Sequence, residues 1–151
     1  MNSREELFGL LDEIIPNDKP PAIFLATWDG ECPRVRPVSL VRDGLSFYFG
    51  TGRQDNKSKQ IASWPRVEFV VLLKKEKFTG YLRVSGKAVE MTGPEKHEAW
   101  KRGKGFDVGQ YWEGGLDDPR FIMFRVIPDS VRLVVPGEMN EQELPMDWFI
   151  P

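Results

Sequence analysis

The stretch Arg34–Lys57, "RVRPVSLVRDGLSFYFGTGRQDNK", decides how this chain folds. It reads as two β-strands joined by a tight turn and followed by a polar loop. The segment "PRVRPVSLVR" is extended by composition, and "LSFYFG" puts Leu45, Phe47 and Phe49 on one face, which is the expected core face. Between the two runs, Asp43-Gly44 is a two-residue hairpin signal. Arg34 and Arg36 fall two apart in an extended segment, so both side chains leave the same face. Pro37, inside the same strand, has no N–H to give a ladder. The strand should therefore be an edge or carry a bulge there, with backbone groups free to meet something other than a neighbouring strand.

Beyond the hairpin lies "GTGRQDNKSK". Gly50 and Gly52 permit positive φ and close approach of backbone to a ligand. Thr51 offers a hydroxyl, and Asn56 with Lys57 sit where a short helix, "NKSKQIASW", should begin. Helix N-terminal amides beside a cation suit an anion. The same residues also fit a plain loop with an Asx cap and solvated lysines, as strand arginines singly fit a solvated face. The order of a Walker phosphate loop is absent.

Further out, Ser3 and Glu6 form a capping box, and Leu7, Leu10, Leu11 and Ile14 make one apolar helical stripe that should end before Pro16. The connector "NDKPP" leads to the strand "AIFLATW" (Ala22–Trp28), closed by Asp29-Gly30. Arg66–Lys74 is apolar through its middle and reads as a central strand. Gly80–Met91 returns as a long strand in which Gly86 invites a bulge. Thr92 and Glu95 suggest a second capping box with Pro94 early in a helix. "KGFDVGQYWEGGLDDP" is irregular or partly helical. "RFIMFRVI" and "SVRLVV" are the last strands, split by Pro128-Asp129. Hairpin-linked strands without regular crossover helices point to an antiparallel barrel and away from a Rossmann sheet.

A length of 151 residues fits one domain, 1–151, with a real core. A net charge of -2 supplies no global basic field to draw nucleic acid, so any cationic site must be local. No apolar run reaches a membrane span and the N-terminus is not signal-like, so a cytoplasmic protein without membrane association is the expectation. One cysteine, Cys32, and one histidine, His97, leave no Cys/His metal cluster and no internal disulfide. His97, in "EKHE", reads as solvated, and Asp117-Asp118 as a turn or cap. The strand phenylalanines read as core. Trp112 in the glycine-rich segment and Trp148 in the tail are harder to place in one small barrel, and are candidates for a pocket wall or subunit interface.

The R-x-R-P-V strand, the Y-F-x-T-G loop, the K-x-x-x-I-x-x-x-P-R-V passage and the L-R-V-x-G-K-A strand, within about Leu25–Met91, together resemble the pyridoxamine 5'-phosphate oxidase-like family of FMN-binding split-barrel proteins. The resemblance implies a mostly β (α+β) fold, a six- to seven-stranded antiparallel split β-barrel with flanking short helices. It further implies a homodimer with FMN sites at the interface. Arg34, Val35, Arg36, Pro37, Val38 and Ser39 would line the flavin ring and ribityl chain. Thr51, Asn56 and Lys57, in the Gly50–Gly52 loop and after it, would hold the phosphate with Arg34 or Arg36. Tyr81 falls where the oxidases proper carry a flavin-contacting glutamine. Trp112 or the C-terminal aromatics would cover the flavin.

The chain also departs from the oxidases. They end in a substrate-binding segment with an arginine and a histidine, whereas here no histidine follows His97 and the tail is "ELPMDWFIP". Oxidation of pyridoxamine phosphate is therefore not expected. Small members of the family include flavin reductases, stress proteins, and relatives that use F420 or bind haem. The loop favours FMN, with F420 as the alternative. An FMN-dependent oxidoreductase acting on a small-molecule redox substrate is the leading expectation, with no acid–base residue standing out as catalytic. The alternatives are a non-catalytic flavin binder and a plain interaction module.

Overall fold

The computed structural model describes residues 1–16 and 18–150; Asn17, in the connector after the first helix, and Pro151 at the end of the tail lie outside them. The helix α1 (Arg4–Ile14) starts at Ser3, whose hydroxyl accepts from the Glu6 amide, and buries Leu7 and Leu11. Next come β1 (Ala22–Trp28), β2 (Pro33–Ser39), β3 (Val41–Asp43), β4 (Ser46–Gly52) and α2 (Asn56–Ser63). The chain continues through β5 (Arg66–Lys75), β6 (Phe78–Glu90), α3 (Gly93–Arg102), β7 (Phe121–Val134) and the two-residue β8 (Gln142–Glu143). All pairings are antiparallel, in the order β2-β1-β5-β6-β7-β4-β3, with β8 against β7.

Closure of the barrel follows from one residue. β2 and β3 are the two ends of that order, yet they are consecutive in the chain and separated only by Leu40. The two edges of the sheet must therefore lie next to each other. Leu40 itself is buried and its amide donates to Pro21 O at 2.9 Å. The single strand expected over "PRVRPVSLVR" is thus two strands on opposite edges, because the chain bends inward at Leu40. The edge position expected from Pro37 is observed, since β2 pairs only with β1 among the described residues.

Three other local expectations are corrected. Pro128 does not split the last strand. The β6–β7 register jumps between Ser85 and Gly86, Gly86 facing Pro128, and this bulge carries β7 past a residue with no N–H. A Cβ at Gly86 would stand 2.0 Å from the Ile127 carbonyl oxygen, so only glycine fits that crossing. Thr92 caps α3 by position but makes no side-chain cap bond. Trp148 needs no second subunit: it packs, half-buried, on the main core of its own chain, next to Phe149, whose ring lies 6.3 Å from Phe47. Arg4 Nε donates to the Trp148 carbonyl at 2.9 Å and ties the tail to α1.

The main core fills the barrel with Leu25, Phe47, Phe49, Phe69, Leu82 and their neighbours. A second cluster, built on Tyr48, Trp100, Phe121 and Met123, lies on the other face of the β4–β7 pair. Alternation explains both, because Phe47 and Phe49 point one way from β4 and Tyr48 the other. Arg42 is 3% exposed and wholly structural. Its guanidinium donates to Asp12 Oδ1 at 2.6 Å and to Gly44 O at 2.8 Å, pinning α1 to the β3–β4 hairpin.

Candidate functional site

β2, the loop after β4 and the start of α2 converge on a cleft. Its polar half is a cavity of about 520 Å³ lined by Asp29, Arg34, Arg36, Asp55, Asn56, Lys57 and Gln60. Arg34 and Arg36 come from the same face of β2, as their spacing requires. They are used differently. Arg34 lies at the rim, with Nε 2.7 Å from Asp29 Oδ2 and a side chain 58% exposed. Arg36 crosses β1, donating through one terminal nitrogen to Leu25 O (3.2 Å) and Thr27 Oγ1 (2.7 Å), and through the other to Gln60 Oε1 (3.2 Å). Burial draws its pKa below the ordinary arginine value. Two of its five N–H groups have no hydrogen-bond partner among the described residues.

Asp29 is fixed by the turn that follows β1. Its carboxylate accepts from the amides of Cys32 and Glu31, both at 2.8 Å, and from Arg34, which together hold its pKa at about 2. Lys57 Nζ reaches Asp55 Oδ2 at 3.0 Å. Asp55 is the N-cap residue of α2 by position, yet its side chain makes no cap bond to the helix. It turns back instead to the end of β4, which takes in the Gly50–Gly52 stretch expected as a loop, accepting from Thr51 Oγ1 at 2.7 Å and from the Gly52 amide at 3.3 Å. These bonds, Thr51's first, lower its pKa.

The aromatic half is a smaller cavity of about 250 Å³, lined by Ser39, Gly50, Thr51, Gly52, Asp55, Phe106, Tyr111 and Trp112. Its wall is the exposed end of the second cluster. Phe106 stands edge-on to Trp100 and Tyr111 at centroid separations of 5.1 and 5.6 Å, and Trp112 packs on Phe121 at 5.6 Å. The segment carrying these rings is anchored by buried Asp118, which accepts from the amides of Gly114 and Arg120 and from the Arg120 guanidinium. The Arg120 bonds hold the Asp118 carboxyl well below the usual carboxylate range. His97 pairs with Asp117 on the outer side at 2.7 Å and lines neither cavity.

The fold thus brings Arg34, Arg36, Ser39, Gly50, Thr51, Asn56, Lys57 and Trp112 to one cleft. Val35 and Pro37 leave β2 on the opposite, outer face, Val35 being 65% exposed, while Val38 packs on the main core. Tyr81 and Trp148 are not brought to the cleft within one chain. Tyr81 hydrogen-bonds Glu141, which also accepts from Arg83 at 2.7 Å. Gly50 and Gly52 do not take positive φ. Gly50 is required by packing, because a Cβ there would meet Phe121 and Trp100 at 2.6 Å. Sequence reasoning gave no place in the cleft to Asp29, Asp55, Gln60, Phe106 or Tyr111. Two of them carried a local signal: Asp29 in an Asp-Gly turn, which it does brace, and Asp55 at an N-cap position, where it makes no cap bond.

Comparison with known proteins adds the following. Residues 11–135 match the family model for pyridoxamine 5'-phosphate oxidase. General stress protein 26 of Bacillus subtilis (strain 168) is 28% identical over 122 residues, which is 80% of this chain and 84% of that protein. Among solved structures, a haem-binding protein from Mycobacterium smegmatis superposes with a TM-score of 0.78 at 16% identity over 99% of this chain. The chain spans only 60% of that protein's length. General stress protein 26 from Bacillus anthracis str. Sterne gives a TM-score of 0.66 at 21% identity, covering 92% of this chain and 99% of its own. At these identities the structural likenesses speak for the fold.

Proposed function

The chain belongs to the pyridoxamine 5'-phosphate oxidase family, the match covering residues 11–135, and on that premise we propose that it is a single-domain flavoprotein that binds FMN in the cleft between β2 and α2. The observation that carries this reading is the pairing of a cationic cavity with an aromatic one along a shared wall. A phosphate needs charged donors, and Lys57, the free N–H groups of Arg36 and the first turn of α2 supply them. A planar amide-rich ring needs an apolar wall and backbone partners. Phe106, Tyr111 and Trp112 supply the wall, and the open edge of β2 supplies the backbone groups.

FMN would supply the redox chemistry when bound, and the chain's residues would bind, orient and shield it. Arg36 and Lys57 hold the phosphate end, the aromatic wall excludes water from the ring, and Arg34 closes the rim. An oxidoreductase acting on a small molecule is the leading activity, with a non-catalytic flavin carrier second. Saturable turnover with NAD(P)H would mark the enzyme, and tight FMN without turnover the carrier. F420 shares the need for a phosphate subsite and is the alternative cofactor.

We also propose a homodimer. Phe24 (43% exposed), Val35 and Leu72 leave an apolar strip on the outer faces of β1, β2 and β5, and a second copy would cover it. Among the described residues no helix is long and apolar enough to cross a membrane. The test of the whole reading is the visible spectrum of the purified protein, with mass identification of what acid releases. Released FMN supports it. A colourless protein that takes up neither FMN nor F420 overturns it.

A further inference from the structure

One residue lines both cavities. Asp55 stands in the wall of the cationic pocket with Arg36 and Lys57, and in the wall of the aromatic pocket with Thr51 and Trp112. The two linings meet at this residue. A single oxygen, Oδ2, accepts from Thr51 Oγ1 at 2.7 Å, from Lys57 Nζ at 3.0 Å and from the Gly52 amide at 3.3 Å. A hydroxyl, an ammonium and a backbone amide directed at one anionic oxygen form the donor set a phosphate oxygen would accept. Within the chain that place is held by the carboxylate.

We propose that Asp55 is the specificity residue of this cleft, an internal anion that an incoming phosphate displaces, joining the cationic and aromatic cavities into one passage. The inference rests on the proposed FMN site and deepens it. The physical reasoning is substitution of like for like. The Thr51 hydroxyl is buried, and leaving it without a partner is costly. A ligand that swings Asp55 out must therefore replace the carboxylate with another acceptor. A phosphorylated ring does so and an unphosphorylated one does not. The side chain is about half exposed and has room to move, at 48% against 17% for Lys57. Since it makes no cap bond to the α2 backbone, its departure frees Lys57 for the phosphate and leaves the helix amides as they were.

A supporting role makes the opposite forecast. If Asp55 only orients Lys57 for the phosphate, removing its charge weakens binding. If it competes, removing its charge strengthens binding. The test is titration of the full-length apoprotein and its Asp55→Asn and Asp55→Ser variants with FMN and with riboflavin, followed by flavin fluorescence, with circular dichroism as the check on folding. The serine variant keeps an N-cap residue should the amide disturb the loop.

The expected result is FMN affinity raised about tenfold in both variants, just above the scale of one adjacent like charge in bulk water and below that of a pair near a protein surface, with riboflavin affinity unchanged. The same gain in variants of a wild-type chain that binds FMN too weakly to measure also supports the proposal. FMN bound equally or more weakly by both variants overturns the role of Asp55 and leaves the FMN site standing. FMN bound by none of the three proteins removes the site and this inference together.

Discussion

Two aromatic assemblies sit on opposite faces of the β4–β7 pair, and they are built for different ends. The inner one is closed: Phe47 and Phe49 are at most 1% exposed, and Phe47 meets Phe69 edge-on at 5.5 Å. The outer one is buried only at its base, on Trp100 and Phe121, and opens through Phe106 and Trp112 to Tyr111, which is 68% exposed. Rings of the same chemistry thus hold the barrel together on one side and line an open cavity on the other. The difference lies in what covers them. The barrel closes over the first set through the meeting of β2 with β3. The second is covered by α3 and by the segment that Asp118 anchors.

Phe47→Ala is the hardest test of that contrast. Truncating a fully buried phenylalanine should cost about 3–5 kcal/mol of stability, read as a shift in the chemical denaturation midpoint. A loss under about 1 kcal/mol would mean the inner cluster is not the structural one. Lys57→Ala should do the reverse. The unfolding midpoint should hardly move, while FMN binding weakens by about 1.5–3 kcal/mol, the scale of a charged hydrogen bond. Riboflavin affinity should stay the same. Equal losses for both ligands would take Lys57 out of the phosphate subsite.

Trp112→Ala falls between the two. Losing a half-buried ring packed against Phe121 and Tyr111 should lower stability by about 0.5–1.5 kcal/mol and weaken both flavins alike, since in the proposed site it would face the ring and not the phosphate. Destabilisation as large as that of Phe47→Ala would erase the distinction between the clusters. The smallest effect is one of pH. Asp29 is held at about 2, against an ordinary 3.8, first by the Cys32 and Glu31 amides and then by Arg34. A carboxylate with a lowered folded-state pKa stabilises its turn above the ordinary value and loses that contribution as pH falls through the folded one. The Asp29–Pro33 turn at the cationic rim should therefore loosen between about pH 4 and pH 2, seen as titrating amide shifts of Glu31 and Cys32. Invariant shifts across that window would remove Asp29 as the anchor of Arg34.

Much of this was legible from local pattern. The R-x-R spacing put both arginines on one face, Pro37 marked an edge, Gly86 a bulge, and the strand phenylalanines a core. The site was legible in part: the residues that present donors were found, and those that answer them were missed. Asp55 reads as an N-cap because helix starts favour acidic residues, and nothing nearby in the sequence says that it turns back to Thr51. Trp148 looked surplus to a small barrel because the contacts that seat the tail, such as Arg4 on its carbonyl and Phe47 beside Phe149, come from residues far away in the sequence.

The sequence alone determined most of the extended segments, which faces are apolar and where the cations lie, because period, proline and glycine act over a few residues. Tertiary structure alone decided that β2 and β3 meet as opposite edges at Leu40, that β7 runs on through Pro128, and that one acidic residue lines both a cationic cavity and an aromatic one. Those outcomes depend on contacts between distant residues, whose geometry is settled only when the sheet closes around its core.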